Sequence, residues 1–157
     1  MEQSTPPHTH VETRATARFT FELSLTASPG KAIELFTPEG ERKWAEGWDP
    51  VYANVPDARR AGTGTVFITD AHSVRRFWIV DQYDRKACIV RYTVFAPDQS
   101  VTRIEVRVTA RPGGSIARVT YDRTALNAEA DANVEHFALH AHMMQSEWQN
   151  AIDAIRT

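Results

Sequence analysis

Residues 127–156 carry the only long helical pattern in a chain whose other segments alternate like short strands. Asn127 is a suitable N-cap, and Glu129 and Asp131 place negative charge in the first turn, where the helix dipole favours it. An uninterrupted helix of this length would span roughly 40 Å. One long helix against a curved sheet tends to enclose a cavity, which predicts a small-molecule binder. The apolar positions recur at steps of three or four, as one helix face requires: Val134, Phe137, Ala138, Ala141, Met144, Trp148, Ile152 and Ile155.

The remainder of the chain predicts a meander of about seven strands. Residues 18–26 alternate apolar and polar side chains, the pattern of a strand with one buried face. Ser28-Pro29 and Thr37-Pro38 then each supply a cap and a first-turn proline, which predicts two short helices after the first strand. Short turn signals separate the later strands and favour antiparallel pairing between neighbours. The six further predicted strands cover residues 51–55, 63–69, 76–83, 87–95, 101–110 and 115–125.

Composition limits the class of protein. The 157 residues fit one domain, which we place at residues 16–157 behind a disordered tail at residues 1–15. A net charge of −2 argues against nucleic acid as the main partner, and the pair Arg75-Arg76 is expected to be solvated. No apolar run approaches the ~20 residues that would span a bilayer, so no integral membrane association is expected. The tail lacks the order of a signal peptide, which predicts a cytoplasmic location.

Several segments together resemble the START-like superfamily, also called SRPBCC. They are residues 27–32, 35–39, 62–67, 78–80 and 120–126. That superfamily includes lipid-transfer domains, plant pollen-allergen-type proteins and aromatic polyketide cyclases. The resemblance implies an α+β helix-grip fold, in which a curved antiparallel sheet of about seven strands surrounds a long C-terminal helix. Because the superfamily hosts many activities, the resemblance is specific for the fold and not for the function.

Strand alternation predicts an amphipathic wall facing the C-terminal helix. Trp78 and Gln82 would share one inner face with Tyr92 and Tyr121, so that aromatic faces bind a flat ligand and polar ends orient it. Replacing both tyrosines by Phe should then barely affect stability and yet weaken binding. The alternative is that these aromatic side chains simply fill the core. The predicted ligand-binding residues are Trp44, Trp48, Tyr52, Phe67, Trp78, Gln82, Tyr92, Tyr121, His140, Met144 and Trp148.

The sequence assigns no catalytic residue, metal site or cofactor. His136 and His140 are four residues apart on the predicted helix, the offset of a shared metal. His136 lies well off the apolar stripe, His140 lies on its shoulder, and the pair has no evident third ligand. Serine or cysteine nucleophile motifs are absent from the sequence, and Cys88 resembles a small core residue. Leu139 and Met143 lie opposite the stripe and are candidates for a homodimer contact.

The resemblance leaves three classes of function. The first is a binder of a small hydrophobic or aromatic molecule that acts without catalysis, for which an almost wholly apolar cavity is expected. The second is an enzyme of the polyketide cyclase or dehydratase kind, a lyase or isomerase, in which Tyr92, Arg123 or His140 would transfer protons. It requires at least two titratable groups deep in the cavity. The third resembles a chaperone-ATPase activator, an interaction protein for which a small or filled cavity is expected.

Overall fold

One antiparallel sheet of seven strands forms the body of the protein in the computed structural model, which describes residues 13–155. The inner face of the sheet packs against the helices and holds most of the buried apolar side chains. The strands are β1 (Thr16–Leu25), β2 (Val51–Tyr52), β3 (Val66–Ala71), β4 (Val74–Asp84), β5 (Ile89–Ala96), β6 (Ser100–Arg111) and β7 (Gly114–Ala125).

The strand order is β1-β7-β6-β5-β4-β3-β2, so every strand from β2 onward pairs with the next strand along the chain. This arrangement is the meander that the turn signals predicted. The β6–β7 turn shows the local cause, because Gly113 adopts a φ of 81° directly after Pro112. Such a left-handed backbone costs glycine little, which makes a Pro-Gly pair suitable for a tight turn.

Short helical segments lead the chain from β1 to the other edge of the sheet. They are α1 (Pro29–Ala32), a 3₁₀ turn (Ile33–Phe36) and α2 (Pro38–Glu41), in agreement with the predicted pair of short helices. The Thr37 hydroxyl caps α2 by accepting a 3.1 Å hydrogen bond from the Gly40 amide. A Cβ atom at Gly40 would lie 1.8 Å from the carbonyl oxygen of Glu34, so only glycine fits this close approach.

The C-terminal helical region is divided, whereas the sequence predicted one continuous helix. Helix α3 (Ala128–Leu139) and helix α4 (Ala141–Asp153) meet at His140, whose ψ of 3° departs from helical geometry. Asn127 caps α3 as predicted, because its side-chain oxygen accepts a 2.9 Å hydrogen bond from the Ala130 amide. The prediction of an unbroken helix was therefore wrong at one residue.

Packing explains the division. Helix α3 buries Ala130 and Val134 in a small cluster with Ala17 and Ala125, at the β1–β7 side of the sheet. Helix α4 instead buries Ile152 in the main core. A change of direction at the helix junction lets each segment pack against its own cluster on a curved surface.

Helix α4 also covers part of the exposed edge of β1. The side-chain amide of Gln149 accepts a 2.9 Å hydrogen bond from the Ser24 amide and donates one of 2.9 Å to the Ser24 carbonyl. Gln145 donates a 3.2 Å hydrogen bond to the carbonyl of Glu22. These bonds occupy backbone groups that an adjacent strand would otherwise pair with.

Three further predictions concern the chain ends and the surface. Residues 1–12 and 156–157 lie outside the described residues, and with them most of the predicted tail. Ala15, also assigned to that tail, donates a 2.8 Å hydrogen bond to Asp131.

Leu139 and Met143 are 72% and 46% exposed, and the dimer contact proposed for them stays a prediction. Within residues 13–155 no helix is long and apolar enough to cross a membrane.

Candidate ligand-binding cavity

The inner face of the sheet and the C-terminal helices border a cavity of about 340 Å³ that is partly open to solvent. Small-molecule sites generally measure about 300–1,000 Å³. Strands β3 to β7 form the floor of the cavity, while α3 and α4 form the opposite wall. Its lining residues are Trp48, Thr69, Ala71, Arg76, Trp78, Val94, Thr102, Ile104, Tyr121, Arg123, Phe137 and Met144.

Four of the predicted ligand-binding residues line this cavity: Trp48, Trp78, Tyr121 and Met144. The other seven lie elsewhere. Five of them belong to a packed aromatic region below the short helices, one lies on the outer face of the sheet, and one lies at the surface.

The aromatic region consists of rings in mutual contact. Phe67 is completely buried, and its ring stacks on Trp78 at a centroid distance of 5.4 Å. Trp148 packs against Trp44 at 5.0 Å and against Phe36 at 6.5 Å. This half of the inner face is therefore a filled core, the alternative that the sequence left open. The predicted ligand-binding residues that it contains are Trp44, Tyr52, Phe67, Tyr92 and Trp148.

Most polar ends that were predicted to orient a ligand are already bonded within the protein. The indole N–H groups of Trp44 and Trp48 each donate a 2.8 Å hydrogen bond to a backbone carbonyl. The Trp78 indole donates to the Thr69 hydroxyl at 2.9 Å. The Tyr92 hydroxyl donates to the Phe36 carbonyl at 2.6 Å, and the Tyr52 hydroxyl donates to the Glu39 carboxylate. These groups have structural partners and are not free to bind a ligand.

Tyr121 differs from them. Its ring stacks on Phe19 at 5.3 Å with an interplanar angle of 6°, and it contacts Phe137 at 5.8 Å. Within residues 13–155 its hydroxyl has no hydrogen-bond partner in the protein, although the residue lines the cavity. Burial raises the pKa of Tyr121, which keeps the hydroxyl protonated and able to donate.

The predicted inner-face position of Gln82 is wrong. The pairing of β4 with β5 shifts register between Val80 and Gln82, so one extra residue interrupts the alternation. Gln82 therefore pairs with Arg91 across the strands, and its side-chain oxygen accepts a 2.6 Å hydrogen bond from the Arg91 guanidinium. Arg91 also donates to Glu105 at 2.8 Å, on the charged outer face of the sheet.

His140 also lies away from the cavity. It is exposed at the junction of α3 and α4, where its Nδ1 lies 3.0 Å from the carbonyl oxygen of His136. The rings of the two histidines are 4.0 Å apart. Among the described residues there is no group of three or more His, Cys, Asp or Glu side chains that could hold a metal ion.

Two arginines line the cavity. Arg123 donates a 2.7 Å hydrogen bond from Nε to the Thr102 hydroxyl, and its Cζ lies 3.7 Å from the centroid of the Phe137 ring. Arg76 lines the same cavity from β4, whereas Arg75 is exposed and pairs with Asp70 at 2.9 Å. The expectation that both members of the Arg75-Arg76 pair are solvated was therefore wrong for Arg76. Strand alternation could have revealed this, because Arg76 is two residues from the buried Trp78.

Burial lowers the pKa of both arginines but does not deprotonate them at neutral pH. It lowers the pKa of Arg123 to about 10, and the nearby positive charge of Arg76 contributes to this shift. The pKa of Arg76 is also lowered by burial. Both guanidinium groups remain positively charged at neutral pH, which makes this part of the cavity cationic.

Glu41 is an acid of intermediate exposure that the sequence did not identify. Its Oε2 atom is buried and has no hydrogen-bond partner among the described residues. Burial raises its pKa well above the usual range for a carboxyl group. Its charge acts on both Tyr92 and Tyr121. Glu41 is spaced three and seven residues from Trp44 and Trp48, a helical spacing that could have placed it on their inward face.

No protein-family model and no curated protein matches the sequence. Solved structures do match. The allergen Ara h 8.0201 has a TM-score of 0.64 at 14% identity, with 89% of this chain and 99% of the other covered. Norcoclaurine synthase from Thalictrum flavum has a TM-score of 0.64 at 10% identity, covering 98% and 99%. CalU16 from Micromonospora echinospora has a TM-score of 0.60 at 11% identity, covering 92% and 85%.

Identities this low show the fold alone. The neighbours match over nearly the whole described chain, and the seven-stranded antiparallel sheet and C-terminal helices agree with the predicted architecture. The chain therefore has the helix-grip fold that its resemblance to the START-like superfamily implied.

Proposed function

We propose that the protein binds a small hydrophobic or aromatic molecule in the cavity between the sheet and the C-terminal helices, without catalysing a reaction. The observation that carries this proposal is an unfilled space of about 340 Å³ beside a packed aromatic core on the same inner face. Aromatic side chains fill the other half of that face, so the open space is confined to one side of it.

The space is a concave cavity, partly open to solvent, whose volume is within the range of small-molecule sites. The lining joins apolar side chains, such as Trp48, Val94 and Met144, to a small number of polar groups, so it is not the almost wholly apolar cavity that was expected for a binder. That combination is typical of small-molecule sites. It also favours binding over the interaction-protein class, for which a small or filled cavity was expected.

The proposal is tested with N-phenylnaphthylamine (NPN), a neutral aromatic probe whose fluorescence rises in apolar surroundings. We expect saturable binding of one probe per chain. Ala71→Trp places a large ring among the lining residues and should reduce NPN affinity about tenfold or more. Ile79→Trp adds the same ring at a position that is 43% exposed outside the cavity, and should leave the affinity unchanged.

Native mass spectrometry of the protein purified from its host provides an independent measurement. A stoichiometric apolar passenger, released on denaturation, would identify the ligand. A clean apo mass together with the absence of saturable NPN binding would overturn the proposal.

Glu41 favours a second candidate, an enzyme that transfers a proton. A buried carboxyl group with a raised pKa can act as a general acid or base near neutral pH. Its charge acts on Tyr121, which lines the cavity, although Glu41 itself is not among the lining residues. One structural neighbour is a synthase, which has been crystallised with a transition-state analogue. This candidate predicts that a ligand recovered from the wild-type protein is converted on incubation and that Glu41→Gln binds it without conversion.

A further inference from the structure

We infer that the ligand of this cavity is an amphipathic anion, whose acidic group binds between Arg76 and Arg123 while its flat apolar body packs on the aromatic wall. A carboxylate or a sulfonate has the required chemistry. This inference rests on the proposed function, because it names the chemical class of the molecule that occupies the same cavity.

The first argument is the absence of a counter-ion. Arg76 and Arg123 approach the cavity from β4 and β7, and the charge of Arg76 acts on Arg123. Within residues 13–155 neither guanidinium forms an ion pair with a carboxylate. Two like charges that are partly withdrawn from water and lack a partner are unfavourable in the free protein. A bound anion would reduce the repulsion between the two guanidinium groups and would give them an ion-pair partner.

The second argument is the contrast with other arginines of the chain. Arg42, Arg75 and Arg91 each form an ion pair of 3.0 Å or shorter with a carboxylate, although all three side chains are more than a third exposed. Water would solvate those charges even without a partner. Among the described arginines that form no ion pair, Arg76 and Arg123 are the two that are partly withdrawn from water, and the others are exposed.

The third argument is that the cavity offers donors and no charged acceptor. Its lining contains no Asp, Glu, Asn, Gln or His side chain. The hydroxyls of Thr69 and Thr102 already accept hydrogen bonds from Trp78 and Arg123, which leaves their own protons available. The unpartnered Tyr121 hydroxyl adds a third donor. A ligand group that accepts several hydrogen bonds and carries negative charge matches this arrangement.

The fourth argument concerns orientation. Thr102 and the face of Phe137 hold the Arg123 guanidinium in place before any ligand binds. The faces of Trp48 and Trp78, together with Met144, provide an apolar surface in the same cavity. A ligand must therefore combine a negative group with an aromatic or otherwise flat body to satisfy both regions.

Anilinonaphthalene sulfonate (ANS) and NPN form a matched pair of probes, since they share one aromatic skeleton and differ by the sulfonate. We expect the wild-type protein to bind ANS about tenfold or more tightly than NPN. Arg76→Gln and Arg123→Gln should each weaken ANS binding about tenfold, the ratio expected for losing a hydrogen bond to a charged group. Both variants should change NPN affinity less than about twofold.

Arg118→Gln is the control. Arg118 lies on the same strand as Arg123 but is exposed outside the cavity, so this variant makes the same change in net charge and should leave both affinities unaltered. Near-ultraviolet circular dichroism verifies that each variant keeps its packed aromatic core. Arg123→Gln loses the hydrogen bond to Thr102 and the contact with Phe137, so its stability is measured beside its ANS affinity. Arg123→Lys should restore part of the ANS affinity.

The outcomes separate this inference from the proposed function. Saturable NPN binding with equal or weaker ANS binding would overturn the inference alone, as would equal losses of ANS affinity in Arg118→Gln and Arg123→Gln. Failure of both probes to bind, together with a clean apo mass, would overturn the proposed function and the inference with it. Selective loss of ANS in the two cavity variants would support both.

Discussion

The Phe137 ring supports the Arg123 guanidinium, whose Cζ lies 3.7 Å from the ring centroid. Phe137 belongs to α3 and Arg123 to β7, so this contact joins the helical wall of the cavity to its floor. Such cation–π contacts contribute about 0.5–2 kcal/mol, and the contribution is larger where water is excluded.

We expect Phe137→Leu to weaken ANS binding about two- to tenfold, because Leu keeps an apolar contact but lacks the π face that orients the arginine. Phe137→Tyr keeps the ring and should remain within about twofold of the wild type. Fluorescence titration of the two variants measures the difference. Equal affinities for the Leu and Tyr variants would show that the ring acts only through its bulk.

The buried carboxyl of Glu41 should make the protein less stable as the pH rises. Its pKa is raised by burial in the folded state, so between the unfolded pKa and the folded pKa the unfolded chain binds fewer protons. Stability from this group is fully present below about pH 4.5 and declines above it.

Glu41→Gln removes this titration. We expect the variant to gain stability relative to the wild type as the pH increases from 4.5 to 8, with little difference at pH 4. Urea unfolding at several pH values, followed by circular dichroism, measures this trend. A pH-independent difference between the two proteins would contradict a desolvated acid at residue 41. Glu147→Gln, at an exposed position in the middle of α4, is the control.

Period-two alternation on the strands was enough to predict most of the fold and part of the cavity. It placed Trp78 and Tyr121 on the inner face correctly, because the pleat dictates the side of each residue once a strand is assigned. It failed at Gln82, where an extra residue between Val80 and Gln82 reverses the alternation. Nothing in the local sequence marks that irregularity, since no Gly or Pro is present there.

Hydrogen-bond partners between distant segments could not be predicted. Tyr92 bonds to the Phe36 carbonyl 56 residues away, and only the folded chain reveals that this hydroxyl is already in use. The helix junction at His140 likewise follows from packing against two separate clusters and not from a helix-breaking residue. Burial of Glu41 depends on the same tertiary packing.

Gly40 should be intolerant of any side chain. A Cβ atom there would lie 1.8 Å from the Glu34 carbonyl oxygen, so Gly40→Ala must displace the backbone of the short helices. We expect a loss of about 3 kcal/mol or more in the free energy of unfolding.

Gly30→Ala is the matched control, because a Cβ at Gly30 meets no atom within 4 Å. It should leave stability unchanged or raise it by about 0.5–1 kcal/mol. Similar stability for the two variants, measured by urea unfolding, would contradict the close approach at Gly40.

The two tyrosines of the inner face should respond differently to loss of their hydroxyls, whereas the sequence predicted similar behaviour. Tyr92→Phe leaves the buried Phe36 carbonyl without its 2.6 Å hydrogen bond, which should cost about 1–3 kcal/mol of stability. It should leave ANS affinity nearly unchanged, because Tyr92 does not line the cavity. Tyr121→Phe removes a hydroxyl that has no partner in the described part of the protein, so stability should change by less than about 0.5 kcal/mol.

ANS binding should instead weaken about three- to tenfold in Tyr121→Phe, since the anion loses one donor. Urea unfolding and ANS titration of the same two preparations distinguish the roles, and each variant serves as the control for the other. Equal loss of stability in both would show that the Tyr121 hydroxyl has a structural partner. Unchanged ANS affinity in Tyr121→Phe would instead place the sulfonate with the two arginines alone, on the far side of the cavity from this ring.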